Sequence, residues 1–198
     1  DEILGCGGTV ARLIKEGATA VTLILGEGKT ARDAKRDRSK RDTEISDLRE
    51  EAVKANKIIG VKEVVFCDFP DNRFDSVALL DIVKGVEEVK SKFKPDIIFT
   101  NHEHDLNVDH QYTYKAVITA TRPLKNETVK EIYAFENISS TEWAFPLRFS
   151  PNVFFDISST IKLKLKSLKA YASEMRAFPH PRSIKGTELV AQNWGVKM

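Results

Sequence analysis

Apolar residues recur along this chain with two alternating periods, which predict strands and helices in turn. Short β-branched and apolar runs predict strands at Ala18–Leu25, Glu63–Phe69, Asp96–Asn101, Val129–Glu136 and Asn152–Ile157. Longer stretches with apolar residues at helical spacing predict helices at Gly5–Glu16, Thr43–Ile59, Ser76–Phe93, Asp109–Thr121 and Ser158–Met175. Strands separated by helices of this length favour a mostly parallel sheet covered on both faces, so the predicted fold class is α/β.

The composition narrows the class of protein without identifying an activity. A chain of 198 residues with 41% hydrophobic and 30% charged residues is expected to fold as one ordinary globular domain, without disulfides or a structural metal. Two cysteines, Cys6 and Cys67, favour a reduced, cytoplasmic protein. The longest apolar run, about Ala20–Leu25, is too short for a membrane span. The net charge of +2 favours neither nucleic acid nor a membrane as partner.

One segment departs from the alternating pattern. Lys29–Arg41 contains seven basic and two acidic residues and is almost free of apolar side chains. Such a run is typical of a nucleic-acid-binding arm or of a solvated loop or mobile lid. Because the rest of the chain is not basic, we favour the loop.

Polar clusters follow the predicted strands at the point where each strand ends. They are Asp68–Asp75, Asn101–His110 and Glu136–Glu142, and Asp1–Glu2 stands where a preceding strand would pass into the first helix. Ligands of open parallel sheets bind outside the carboxyl ends of the strands. We therefore expect these clusters to meet at one edge of the sheet.

The richest cluster holds three of the four histidines, at His102, His104 and His110. Imidazole and carboxylate are the usual ligands of catalytic zinc. Asp109, beside His110 at a predicted helix start, is suited to orient a neighbouring group or to cap the helix. We favour loop positions rather than metal ligation for His102 and His104.

Two of these segments resemble the motifs of a known enzyme family. Asp1-Glu2-Ile3-Leu4-Gly5-Cys6-Gly7-Gly8-Thr9 resembles the end of the His-Pro-Asp-Asp-Glu signature, with its following Gly-x-Gly-Gly-Thr, of the PIG-L / LmbE-like zinc-dependent de-N-acetylases. Asn107-Val108-Asp109-His110 resembles that family's second motif. The segments 71–75 and 178–183 are similar to some members, so the resemblance covers nearly the whole chain.

The resemblance implies a Rossmann-like three-layer α/β fold and one zinc ion, Zn²⁺. By motif position, Asp1 and His110 match two of its ligands. The third ligand, a histidine, and the general base, an aspartate, are expected before residue 1. We accordingly expect residues 1–198 to form a single de-N-acetylase-like domain that lacks its first strand and the start of the first motif.

The implied reaction is removal of the N-acetyl group from an N-acetylglucosamine-type sugar or conjugate by zinc-activated water. Asp109 and Asn107 are the candidate catalytic residues in the second motif. Many family members have histidine at the position of Asn107, and an amide cannot transfer protons. By their chemistry, His180 and His104 are then candidates for the acid role, and His180 is also a candidate substrate-binding residue.

Three further residues are candidates for binding the substrate. The planar guanidinium of Arg73 suits sugar hydroxyls, a carboxylate or a phosphate, although an ion pair with Asp71 or Asp75 is an equal alternative. Arg49 resembles a family position near the substrate, and a solvated helical face is the alternative. Glu2 either lines the pocket or favours its helix N-terminus electrostatically.

Two rival functions stay open at this point. Gly5-Cys6-Gly7-Gly8 before a helix is typical of nucleotide-binding folds, but Val10 occupies the place of the third glycine in that pattern. The second rival is a non-catalytic sugar-binding relative that has lost its metal. The sequence also leaves open the sugar, the choice between zinc and iron, and whether the protein forms a homo-oligomer.

Overall fold

The computed structural model describes all residues from Asp1 to Met198, and strands and helices alternate along most of the chain. The strands are β1 (Val21–Gly26), β2 (Glu63–Phe69), β3 (Ile97–Asn101) and β4 (Glu131–Phe135). The helices are α1 (Glu2–Gly5), α2 (Gly7–Lys15), α3 (Asp42–Ile59), α4 (Leu79–Phe93), α5 (Val108–Ala120), α6 (Ile161–Ala170) and α7 (Ile184–Val196).

All strand pairs are parallel, and each pair is joined by a helical crossover. β1 pairs with β2 with Val21 opposite Glu63, and β3 pairs with β4 with Ile97 opposite Glu131. Helix α3 connects the first pair and α5 connects the second, as parallel pairing requires. The predicted α/β class with a parallel sheet is confirmed.

Helices cover both faces of the strands, which gives three layers. Along β1, Ile24 packs against a core formed by α1, α2, α3 and α6, whereas Leu23 and Leu25 face a second core formed by α4 and α5. This alternation follows from the period of two in a strand. The Rossmann-like arrangement implied by the family resemblance is confirmed as well.

Helix α3 ends where it was expected to end, whereas α4 and α6 differ from their predicted bounds. Gly60, with φ of 91°, ends α3 in the left-handed conformation that glycine adopts readily. A separate 3₁₀ turn at Phe74–Ser76 precedes α4, which therefore begins at Leu79 and not at Ser76. Helix α6 is shorter at both ends than the predicted Ser158–Met175.

The predicted strand at Asn152–Ile157 is wrong, and helix α7 was not predicted. The aromatic residues of 152–157 pack against other rings instead of pairing as a strand. Phe155 lies edge-on to Tyr133 with 5.3 Å between the ring centroids, and the centroids of Phe154 and Trp194 are 6.0 Å apart. The segment joins no strand ladder. In α7, Gly186 and Gly195 interrupt the apolar pattern, and the Ser183 side chain marks the start by accepting the Gly186 N–H at 2.9 Å.

The basic segment Lys29–Arg41 forms an ordered loop with two short 3₁₀ turns, as the loop prediction requires. Six of its seven basic residues form ion pairs within the chain. Buried Lys29 contacts Glu174 at 2.7 Å, and Arg41 contacts Asp33 at 2.7 Å. The positive charge is therefore largely compensated by carboxylates of the same molecule.

Membrane insertion through a helix finds no support in the fold. None of the helices is both long enough and apolar enough to cross a bilayer.

Candidate active site

The opening carboxylate and the imidazole of the second motif lie in direct contact. Asp1 stands at the start of α1, and His110 lies in the first turn of α5. The Nε2 atom of His110 is 2.9 Å from Oδ2 of Asp1. The His110 side chain is only 8% exposed, so the imidazole is buried at this contact. The expected meeting of these two residues is confirmed.

A buried carboxylate supports the other side of the imidazole. Oδ1 of Asp105 lies 3.0 Å from Nδ1 of His110, with a geometry outside that of a regular hydrogen bond. Asp105 also accepts the Asn107 N–H at 2.8 Å, the Thr141 hydroxyl at 2.6 Å and the Ser140 hydroxyl. Burial raises the pKa of Asp105, but His110 and the hydroxyl donors outweigh it and hold the pKa below its usual value. Asp105 is thus a fixed anion behind His110.

An arginine from a distant part of the chain contacts the second oxygen of Asp1. Nη2 of Arg182 lies 3.0 Å from Asp1 Oδ1, and its Nε donates to the Ser139 hydroxyl at 2.6 Å. The Arg182 backbone N–H donates to Nδ1 of His180 at 3.1 Å. Nδ1 of His180 is therefore an acceptor in this contact, and Nε2 is the ring nitrogen left for another partner.

Asp109 fixes the loop that follows β2. Its two carboxylate oxygens accept the backbone N–H groups of Asn72, at 2.6 Å, and Phe74, at 3.0 Å. Burial raises the pKa of Asp109 to about 6, despite these two donors. Of the two roles considered for Asp109, the structure shows the orientation of a loop.

Arg73, which lies between the two anchored residues of that loop, is exposed. It forms no ion pair with Asp71 or Asp75, and Asp71 instead accepts the Ala31 N–H at 3.1 Å. The guanidinium is therefore available to an external ligand.

Asn107 caps helix α5. Its side-chain oxygen accepts the Asp109 N–H at 2.8 Å, which satisfies one of the unpaired donors of the first helical turn. The oxygen atom of this amide is therefore engaged by the protein itself.

Glu2 lies at the centre of a buried polar network below Asp1. Its Oε1 accepts the Asn56 amide at 2.8 Å and the Tyr171 hydroxyl at 2.7 Å, and Asn56 accepts the Thr22 hydroxyl at 2.7 Å. Burial raises the pKa of Glu2, whereas the hydrogen bonds from Tyr171 and Asn56 lower it. Through Glu2, α3 and the end of α6 hold the residue next to Asp1.

Replacing Tyr171 by phenylalanine is expected to reduce the free energy of unfolding by about 1.5–3 kcal/mol, because a hydrogen bond to a buried carboxylate is lost. Urea denaturation measures the change. Tyr133→Phe is the matched control, since the Tyr133 hydroxyl contacts Glu131 at an exposed site. Equal, small losses in both variants would show that Glu2 does not depend on Tyr171.

The two other predicted substrate-binding residues lie on different elements. Arg49 of α3 pairs with Asp68 at the end of β2 and lies over the Phe66 ring at 5.1 Å. His180 precedes α7, half-buried, with its ring edge-on to Trp143 at 6.1 Å. Arg49 thus has a carboxylate partner, whereas Nε2 of His180 is not engaged in a hydrogen bond.

The donors around Asp1 and His110 fit two of the three protein ligands of a catalytic zinc site. One carboxylate oxygen and one imidazole nitrogen lie 2.9 Å apart, and both donor types suit zinc. Asp105 at the far ring nitrogen is the kind of partner that orients a ligating histidine. No group of three or more His, Cys, Asp or Glu side chains in this chain is arranged to bind a metal.

Sequence reasoning missed Asp105 and Arg182. Asp105 lies within the histidine cluster, five positions before His110. This position could have marked it as a candidate site residue. Arg182 lies in the segment 178–183, but the sequence could not show which side chain of that segment turns toward Asp1.

Comparison with known proteins gives a consistent picture. The family described as PIG-L, GlcNAc-PI de-N-acetylase, matches residues 1–121. The Escherichia coli K12 protein YaiS, described as an uncharacterized deacetylase, is 28% identical over 176 residues, which are 86% of this chain and 84% of YaiS. The diacetylchitobiose deacetylase of Thermococcus kodakarensis is 26% identical over 187 residues, 88% of this chain and 66% of that protein.

The fold is also that of a solved structure. The N,N′-diacetylchitobiose deacetylase of Pyrococcus horikoshii, in complex with an inhibitor, superposes with a TM-score of 0.74 at 18% identity. The match covers 100% of this chain and 75% of that protein. At this identity the likeness concerns the fold alone.

Proposed function

This chain belongs to the PIG-L family of de-N-acetylases, and we propose that it is a metal-dependent hydrolase that removes the N-acetyl group from an N-acetylglucosamine-type sugar or sugar conjugate. The observation that carries the proposal is the 2.9 Å contact between Asp1 and His110 at the sheet edge where the polar clusters meet. The curated relatives named above are deacetylases, and one of them acts on diacetylchitobiose.

Asp1 and His110 would hold the metal ion, which we propose is Zn²⁺. When bound, zinc lowers the pKa of water from 15.7 to about 7 and polarises a carbonyl oxygen. Asp105 fixes the ring orientation of His110 and keeps Nε2 directed at the site.

Hydrolysis of the amide requires a new bond from water oxygen to the carbonyl carbon, cleavage of the C–N bond and a proton for the departing amine. Acetate and the free amino sugar result. Asn107 has no acidic proton to give and already caps α5. His180 is the remaining candidate for delivery of a proton to the nitrogen, and it would do so in its protonated, imidazolium form, because the neutral ring is not an acid.

Substrate binding is assigned to groups at the same edge. Arg73 is exposed and free of ion pairs, and Asp109 holds its loop, so this guanidinium is proposed to bind sugar hydroxyls or an anionic substituent. Arg49, His180 and Glu2 stay predicted contacts. The Glu2 oxygens are engaged by Tyr171 and Asn56, which favours a supporting role under the sugar site.

Release of acetate from N-acetyl sugars tests the proposal. The full-length protein is stripped with a chelator, reloaded with Zn²⁺, Co²⁺ or Fe²⁺, and assayed with N-acetylglucosamine, diacetylchitobiose and N-acetylglucosaminyl conjugates. We expect acetate and a free amine from at least one sugar, loss of activity after chelation and recovery on reloading.

The negative outcomes of this assay are informative. A protein that binds metal stoichiometrically but hydrolyses none of the panel contradicts the proposed substrate class. A protein that binds amino sugars without any metal is the non-catalytic relative and contradicts the hydrolase.

A further inference from the structure

Arg182 contacts the carboxylate oxygen of Asp1 that His110 does not contact. Its Nη2 lies 3.0 Å from Oδ1 of Asp1, whereas Oδ2 faces His110 at 2.9 Å. Without the arginine, the Asp1 carboxylate would be held by the contact with His110 alone. Contacts at both oxygens fix one orientation, with Oδ2 directed at the imidazole.

The position of the guanidinium is itself determined by its surroundings. Nε donates to the Ser139 hydroxyl at 2.6 Å, so the planar group is held at two points, and the side chain is only 22% exposed. On the other side, Ser183 starts α7 directly after Arg182. A side chain at Gly186 would lie 2.7 Å from the Pro181 carbonyl oxygen, which shows how closely the loop packs on this helix.

The turn that holds Arg182 also holds Asp105. Ser139 accepts from Arg182, while the next two residues, Ser140 and Thr141, donate to Asp105 behind His110. Glu142 closes this turn by accepting the Ser139 N–H at 2.6 Å. One turn after β4 therefore supports both members of the Asp1–His110 pair.

We propose that Arg182 is a positioning residue for the metal site, which acts by fixing the carboxylate of Asp1 so that Oδ2 is presented to the cation. The proposal rests on the proposed function, because it assigns Arg182 to the metal site of that reaction. Two effects of the guanidinium oppose each other: it orients the carboxylate, and its positive charge competes with a cation. Because the two contacts use different oxygens, we expect orientation to dominate.

The test compares Arg182→Gln, Arg182→Lys and Ser139→Ala with the wild type and with Arg176→Gln. Arg176 is an exposed arginine of the same loop, and its guanidinium donates only to the backbone carbonyls of Ser173 and Met175. The first readout is Zn²⁺ affinity in competition with a chelator, which needs no turnover. The second is kcat and KM for the best sugar of the panel, and circular dichroism monitors the fold.

Partners of metal ligands typically contribute 10–100-fold to metal affinity. We expect Arg182→Gln to weaken Zn²⁺ binding by about 10-fold and to lower kcat with little change in KM. Lysine keeps the positive charge but cannot make the two separate contacts of the guanidinium. Arg182→Lys is therefore expected to recover only part of the lost Zn²⁺ affinity. Ser139→Ala should show a smaller loss in the same direction, and Arg176→Gln none.

Unchanged or tighter Zn²⁺ binding by folded Arg182→Gln overturns the inference, and so does a rise in KM alone, which would make Arg182 a substrate contact. Failure of the proposed function looks different. In that case the wild type turns over no sugar, while the ratio of Zn²⁺ affinities still reports on Arg182. A wild-type protein that binds no metal overturns both.

Discussion

Replacing His110 by glutamine is expected to abolish metal binding and acetate release while leaving the fold intact. His110 contributes an imidazole at the Asp1 carboxylate, with Nε2 at 2.9 Å from Oδ2. Glutamine is of similar length and can still hydrogen-bond to a carboxylate, but its amide is not among the usual ligands of zinc. The loss in metal affinity should exceed the roughly 10–100-fold cost of removing a partner of a ligand.

The matched control for this substitution is His104→Gln. His104 lies in the same loop, its side chain is 53% exposed, and its nearest charged partner is Glu103 at 3.7 Å. Metal content by mass spectrometry and acetate release should fall only in the His110 variant, and circular dichroism should be the same for both. Wild-type metal content in folded His110→Gln would remove the basis of the proposed function.

Much of the fold could be predicted from the sequence because its elements carry their own periodic signals. The strand Glu63–Phe69 was predicted with its observed bounds, and Gly60 ends α3 as expected. The strand predicted at 152–157 failed because rings that stack on other rings produce the same apolar pattern as a strand. Helix α7 was not recognised in the sequence because it has no continuous apolar face. Its clearest sign is the capping serine at its start.

The candidate site, like the fold, has contacts that could be predicted from the sequence and contacts that could not. Parallel strands bring their carboxyl ends to one edge, so the meeting of Asp1 with His110 and of the Asp71–Asp75 loop with Asp109 could be expected from strand order. Asp105 and Arg182 could not, because their roles depend on how loops turn. Contacts that depend on the conformation of an irregular loop have no period in the sequence by which to recognise them.

Asp105 and Arg182, which could not be predicted from the sequence, also explain why a small number of groups is enough to build the site. The geometry of the Asp1–His110 pair is set from outside by Asp105 and Arg182. Both supports are in turn held by the three hydroxyl residues after β4. A change in this turn is therefore expected to affect both halves of the pair together.

Replacing Asp105 by alanine is expected to cause the largest loss of stability among the site residues, about 3–5 kcal/mol, because the buried acceptor of three hydrogen bonds is removed. Asp105 is 1% exposed, and its removal leaves the Asn107 N–H and the hydroxyls of Ser140 and Thr141 without their acceptor. Each buried donor left unsatisfied costs about 1–3 kcal/mol. Because typical domains have only about 5–15 kcal/mol in total, urea denaturation should show a much lower midpoint.

The asparagine variant separates charge from packing through the dependence of stability on pH. The pKa of Asp105 is lower in the folded state than in the unfolded chain, so its ionised form favours folding. This contribution is fully present above the unfolded value of about 4 and is lost as the pH falls toward the lower folded value. Asp105→Asn should therefore be less stable than wild type at pH 7, with a smaller difference at pH 3. A difference that is constant between pH 3 and pH 7, measured by urea denaturation, would show that the charge of Asp105 does not stabilise the fold.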